Sequence, residues 1–203
     1  MISDTPIYLC SDFSRVSDRL LKHLRAGRQS GGKVAFVTLA SAPGEYNEAH
    51  ERARHHWKQA GCELLECSHP GQLASPDELL AVYVAGGNTF LLLQEMLRFG
   101  LHNSILELLR RGVPYIGESA GALVLGPTIE QIRFFDPPER APELKSSLAL
   151  GWVPFIPFPH VGHPDLPDRY LEVWKEVCQT QSPFIILRDD DLVVVEGRYR
   201  SDL

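Results

Sequence analysis

The segment Gly117-Glu118-Ser119-Ala120-Gly121 places a serine between glycines two residues before and two after it. An apolar run, Val113–Gly117, leads into it, and Leu123-Val124-Leu125 can continue a helix beyond it. Small residues at those offsets permit a sharp strand-to-helix turn that leaves the hydroxyl exposed above a sheet, the geometry of a nucleophile elbow. A serine so placed can attack a carbonyl, and the backbone N–H of Ala120 then faces the developing oxyanion. A second glycine loop, Gly86-Gly87-Asn88, follows the apolar run Leu80–Ala85 and opens a helix at Thr89. Paired glycines let the backbone approach a ligand closely, so the Gly87 N–H is the second candidate donor, with Gly86 and Asn88 orienting substrate. Phosphate binding is the competing reading of that loop, but it has neither the lysine of a P-loop nor a Gly-x-Gly-x-x-Gly pattern.

An attacking serine needs a base. Of the eight histidines, His23, His50, His55, His56 and His102 fall in or beside predicted helices and read as solvated surface, and His69 sits in a Ser-His-Pro-Gly turn. His160 differs, because it follows the extended segment ending at Phe158-Pro159 and so belongs at a strand end. There it can take the serine proton and return it to the leaving amine. A carboxylate on the other ring nitrogen would fix the tautomer. Two positions compete: Asp189, just past the strand Phe184–Leu187, and Asp136, in a Phe-Asp-Pro loop able to close over the site. His163 with Asp165 raises a metal alternative, though His-x-x-His-x-Asp without further ligands is thin for zinc.

The elements that must position these residues alternate. Strands are predicted at Ile7–Cys10, Val34–Leu39, Cys62–Cys67, Leu80–Ala85 and Val113–Gly117. Helices are predicted at Ser14–Gly27, Tyr46–Ala60, Thr89–Phe99 and Ser104–Arg111, with another starting just after Ser119. Further on, Leu148–Ile156 reads as extended, Pro167–Gln179 as a helix, and Phe184–Leu187 and Leu192–Glu196 as strands. This alternation implies an α/β fold: a three-layer, mainly parallel, doubly wound sheet whose ligands sit beyond the carboxyl ends of the strands.

The 203 residues fit one domain spanning 1–203. A net charge of −6 without a basic face argues against nucleic acid as a partner. The N-terminus does not read as a signal peptide, and no apolar run approaches the roughly 20 residues that span a bilayer. A cytoplasmic protein with no membrane association is expected. Cys10, Cys62, Cys67 and Cys178 agree, reading as small hydrophobes in a reducing compartment. Cys62 and Cys67 should point to opposite faces of their strand. Self-association into a homo-oligomer stays open.

Ala-Gly-Gly-Asn-Thr-Phe at 85–90, Gly-Glu-Ser-Ala-Gly-Ala at 117–122 followed by Pro127-Thr128-Ile129, and Phe158-Pro159-His160 together resemble the aspartyl dipeptidase (peptidase E) family of serine peptidases. Cyanophycinases are more distant relatives with a similar serine motif. The resemblance runs from about residue 80 to 190. It implies a class I glutamine amidotransferase-like, flavodoxin-like architecture with serine in place of cysteine. It also implies hydrolysis of short peptides, foremost dipeptides with an N-terminal Asp, without a cofactor. It places the general base at His160 and aligns Asp189 and Asp136 with acidic positions of the family. Two residues depart from the pattern: Ala85 replaces a glycine, and Glu118, counted here among the substrate-binding candidates, stands where the dipeptidases carry tryptophan. For the acidic substrate side chain, Arg169 is the candidate cation and Arg133 a second. A broader or longer-peptide specificity, a cyanophycinase-like activity, and a catalytically silent binding protein of the same fold are the alternatives.

Overall fold

The computed structural model describes residues 5–25, 32–164, 167–179 and 182–196. In chain order the strands are β1 (Ile7–Cys10), β2 (Gly32–Val37), β3 (Cys62–Glu66), β4 (Leu79–Val84), β5 (Tyr115–Glu118), β6 (Ile156–Phe158), β7 (Phe184–Ile186) and β8 (Leu192–Val195). The helices are α1 (Phe13–Arg25), α2 (Glu48–Gln59), α3 (Thr89–Arg98), α4 (Leu101–Arg110), α5 (Ala120–Leu123) and α6 (Pro167–Gln179). Six strands form one sheet in the order β3-β2-β4-β5-β1-β8, and β6 pairs with β7 in a second, two-stranded sheet. Every pairing is parallel except that of β8 with β1. Parallel strands put their carboxyl ends on one edge, and that edge carries the site.

Side-chain alternation along the strands builds the layers. Tyr8, Cys10, Val34, Phe36 and Tyr83 pack with Phe13, Val16 and Leu20 of α1 and Ala53 and Trp57 of α2. Their neighbours Ile7, Leu9, Ala35, Val37 and Val84 pack on the other side with Phe90, Leu93 and Met96 of α3 and Leu101, Ile105 and Leu109 of α4. A sheet buried on both faces reads as continuous apolar runs, which is why these strands were visible in the sequence. Cys62 and Cys67 fall in opposite clusters, and the four cysteines are unpaired.

Strand β2 starts and ends two residues earlier than expected and β5 starts two later, and three further differences have local causes. Helix α2 begins at Glu48 rather than Tyr46, because Asn47 is its cap and accepts from the Ala49 and His50 N–H groups at 3.0 and 3.3 Å. Helix α4 begins at Leu101 rather than Ser104, since Gly100 at φ 67° turns the chain straight from α3 into α4. The stretch from Leu148 is not a strand before Ile156. Its Leu150, Gly151 and Val153 N–H groups instead bond the carbonyls of Val124, Gly126 and Leu125, wrapping it around the end of α5.

Candidate active site

Ser119 is the first residue past β5 and sits at φ 49°, ψ −106°. A non-glycine residue there carries strain on the order of 1–3 kcal/mol, which persists only when its surroundings hold it. They do. The Ser119 N–H donates to the Cys10 carbonyl at 2.9 Å, and the Ser119 carbonyl accepts from Ala122 and Leu123 at 3.0 Å. The flanking glycines are required by packing: a Cβ on Gly121 would lie 2.1 Å from the Val84 carbonyl oxygen, and one on Gly117 2.5 Å from that of Gly121. The turn therefore fits only because both positions lack side chains.

His160 lies two residues past β6, and its Nε2 is 3.0 Å from Ser119 Oγ. Its Nδ1 is 2.9 Å from Asp189 Oδ1, and Asp189 lies three residues past β7. An Nδ1–H donated to Asp189 leaves Nε2 as an acceptor toward the hydroxyl. His160 is at φ 61°, the other non-glycine residue with positive φ among those described. Its backbone N–H donates to Ser11 Oγ at 3.0 Å, and Ser11 Oγ donates onward to the Leu187 carbonyl at 2.9 Å. One buried serine at the end of β1 thus ties both halves of the histidine–aspartate pair to the main sheet.

The glycine loop lies against Ser119. A Cβ on Gly86 would lie 3.2 Å from Ser119 Cβ, and Gly87 at φ 139° packs on the Ala40 carbonyl more closely than any side chain allows. Gly86, Gly87, Ser119, His160, His163 and Asp189 line one cavity of about 280 Å³, with Ser11, Asp12, Arg15, Asn47, Ala49, Arg52 and Glu118. A larger cavity of about 980 Å³ lies beyond the start of α2. Its Glu45–Arg140, Arg54–Glu51 and Arg98–Glu95 charges pair with one another, and Ser119, His160 and Asp189 are not among its lining residues.

The match of a family model decides the family: peptidase family S51 fits residues 9–201. The chain belongs to that family. A peptidase of Listeria innocua, itself uncharacterized, is 48% identical over 191 residues, covering 85% of this chain and 88% of that one. Peptidase E of Streptomyces coelicolor is 35% identical over 178 residues, covering 83% and 70%. A solved Listeria monocytogenes protein provisionally assigned to peptidase E superposes with a TM-score of 0.83 at 27% identity, covering 96% of each chain. The chain is accordingly a serine-type peptidase with an α/β fold of the peptidase E kind.

Several residues of the peptidase stand elsewhere than the sequence suggested. Glu118 does not face substrate as a free carboxylate. It is 4% exposed, accepting from the Tyr83 hydroxyl at 2.5 Å and the Phe13 N–H at 2.9 Å. Burial raises its pKa, opposed by those two donors and by the Gly86 N–H. Asn88 is not open to substrate either: its Oδ1 caps α3 at the Leu91 N–H, 2.8 Å, and its Nδ2 donates to the Pro137 carbonyl at 3.1 Å. Asp136 is not bonded to His160. It accepts from Thr89 N and Oγ1 at 2.8 and 2.5 Å, pinning its loop to the start of α3. His50 is buried rather than solvated, with Nε2 2.9 Å from the Gly86 carbonyl oxygen.

Arg133 is taken up at the surface by Glu130 and Glu176. The side chain of Arg169 and the whole of Asp165 lie outside the described residues. His163 stands edge-on to His160 with ring centroids 6.5 Å apart, and no cluster of three metal-ligating side chains occurs among the described residues. Arg15 and Arg52, which border the cavity, went unremarked in the sequence. Only their position on the helices that follow β1 and β2 could have signalled them. No described helix is long and apolar enough to cross a membrane.

Proposed function

We propose that this peptidase hydrolyses short peptides, foremost dipeptides with an N-terminal aspartate, through an acyl-enzyme on Ser119. The observation that carries the reading is the unbroken chain from Ser119 Oγ to His160 Nε2 to Asp189, at 3.0 and 2.9 Å. In the first step Ser119 Oγ attacks the scissile carbonyl while His160 Nε2 removes its proton, and Asp189 stabilises the imidazolium that forms. The carbonyl oxygen becomes an oxyanion, met by the N–H groups of Gly87 and Ala120. His160 then protonates the leaving amine. In the second half water attacks the acyl-enzyme with His160 again as base, releasing the acid and restoring Ser119.

An acidic substrate side chain must be paired where it enters a site, because an unpaired desolvated carboxylate is very costly. Arg52 and Arg15 supply cations at the rim of the cavity. Among the described residues, Arg52 is held only by Glu48, 2.8 Å away at the helix surface, and Arg15 only by a 3.7 Å contact with Asp12. Exposed pairs of this kind are weak and readily exchanged for a substrate carboxylate. Glu118 opposes an acidic substrate little, since burial favours its neutral form and three donors offset what charge it holds. Four unpaired cysteines fit a reducing, cytoplasmic setting.

The test is kcat/KM for Asp-Leu, Asn-Leu and Ala-Leu in one buffer, for the parent and for Arg52→Met. The expected result is a preference for Asp-Leu of about tenfold to a hundredfold, reduced several-fold in the variant, as suits one exchanged surface ion pair. Equal rates on all three would replace the aspartyl reading by a broad dipeptidase. No cleavage of any of them would leave only longer-peptide or non-catalytic roles.

A further inference from the structure

The Gly86–Gly87 peptide is the one piece of the site free, by its own sequence, to turn over. A peptide unit is planar and trans, so the carbonyl of one residue and the N–H of the next point in opposite directions. Glycine on both sides of that plane removes the steric barrier to rotating it. In one orientation the Gly87 N–H faces the nucleophile. In the other the Gly86 carbonyl does, and an oxyanion would meet a lone pair instead of a donor. Something must choose.

The Gly86 carbonyl is bonded to His50 Nε2 at 2.9 Å. His50 comes from α2, is 4% exposed, and stands edge-on to Phe36 at 5.9 Å between centroids. The Asn88 N–H donates to the Ala40 carbonyl at 2.8 Å, fixing the next peptide. With its carbonyl turned toward His50, the Gly86–Gly87 unit must direct the Gly87 N–H the other way. Gly87 is exposed to the cavity that holds Ser119, and among the described residues its N–H has no acceptor. A donor left unpaired beside a nucleophile has the form of an oxyanion donor.

We infer that His50 is a positioning residue for catalysis, holding the Gly86–Gly87 peptide in the orientation that aims the Gly87 N–H at the acyl oxygen. The inference rests on the serine-peptidase reading of the site. His50 touches no reacting atom, and it acts through a single bond in which Nε2 must be the donor. Burial and the nearby Arg54 lower its pKa, which keeps the ring neutral, so Nε2 must carry the single ring proton.

Two measurements test this. The first is the rate at which Ser119 is phosphonylated by a fluorophosphonate, with the labelled residue located by mass spectrometry, in the parent, His50→Met and His50→Gln. Methionine keeps length without a donor, and the glutamine amide can restore one. His50→Met should label about a hundredfold to a thousandfold more slowly, the range for loss of one oxyanion donor. His50→Gln should recover at least about tenfold of that, and on a cleaved dipeptide the loss should fall on kcat rather than KM. Absence of labelling at Ser119 in the parent overturns the serine-peptidase reading, and the inference with it. Labelling of His50→Met at the parental rate overturns the inference alone, as does equal slowness of both variants, which would make the residue a packing element. The second measurement needs no variant and no activity. Imidazole nitrogen NMR of the parent at neutral pH should find the His50 proton on Nε2, and a proton on Nδ1 alone would refute the proposal even if a variant failed to fold.

Discussion

At the scale of single residues, the line from Ser119 through His160 to Asp189 makes two exchanges informative. Ser119→Ala should lower kcat on the order of a millionfold, as removal of a nucleophile does in triad enzymes, while its unfolding midpoint stays near the parent's. Retention of even a thousandth of the activity would assign the attack to another group. Asp189→Asn should cost about ten-thousandfold, the size seen when a triad histidine loses its tautomer-fixing carboxylate. Asp136→Asn should cost far less, because Asp136 serves Thr89 and not His160. The reverse ranking in kcat/KM would move the third role to Asp136. Ser119 and His160 could be found from sequence because each follows an apolar strand, and strand ends are where such folds bind ligands. Which of two carboxylates stands beside His160 could be seen only in the structure, since it rests on which way a loop runs in space. His50 was legible and was misread. Counting from Ala53 and Trp57 on the buried face of α2, it falls on the same helical stripe, three and seven residues back.

At the scale of elements, the site is a set of crossings too close for side chains. Gly121→Ala would drive a Cβ into the Val84 carbonyl, forcing α5 away from β4. Overpacking of this kind costs about 1–3 kcal/mol or more, so the urea midpoint should fall and the elbow should lose activity with it. An unchanged midpoint would mean that the helix can shift without penalty. Ser11 offers a second lever, because its hydroxyl joins β1 to the turns that follow β6 and β7. Ser11→Ala leaves the His160 N–H without that acceptor, a loss of about 1–3 kcal/mol if no water replaces it. The variant should also show a lower kcat with KM little changed, and a change in KM alone would deny Ser11 that role. Element types were readable because core strands here are unbroken apolar runs and helices end at glycines. Their starts were less so: caps such as Asn47 are set by local hydrogen bonds that periodicity does not encode. The segment from Leu148 looked extended because it is apolar, and it is apolar because it packs under α5 rather than because it joins a sheet.

At the scale of the whole molecule, Glu118 joins β5 to α1 through the Phe13 N–H and to β4 through the Tyr83 hydroxyl. Its folded-state pKa is raised, chiefly by burial. A carboxyl raised in this way contributes most below the ordinary unfolded value of about 4.3, and that contribution is lost as pH climbs through the folded value. Glu118→Gln removes the titration, so its stability relative to the parent should improve as pH rises above the ordinary unfolded value of about 4.3. Urea midpoints of both proteins, read from about pH 4 upward, will test it, and a Glu118→Gln midpoint that falls relative to the parent's as pH rises would contradict the argument. The two-stranded sheet has a consequence of another kind. Ser119 and the glycine loop ride on the six-stranded sheet, while His160 and Asp189 ride on β6 and β7, backed by the small cluster of Phe158, Val173 and Val177. The Ser119–His160 contact is therefore a gauge of how firmly the two sheets are seated, and sub-global opening of the lesser one would separate Oγ from Nε2 before the larger core melts. Thermal inactivation should then run ahead of the loss of far-ultraviolet ellipticity, and an inhibitor bonded to Ser119 and gripped by His160 would act as a staple that brings the two curves together.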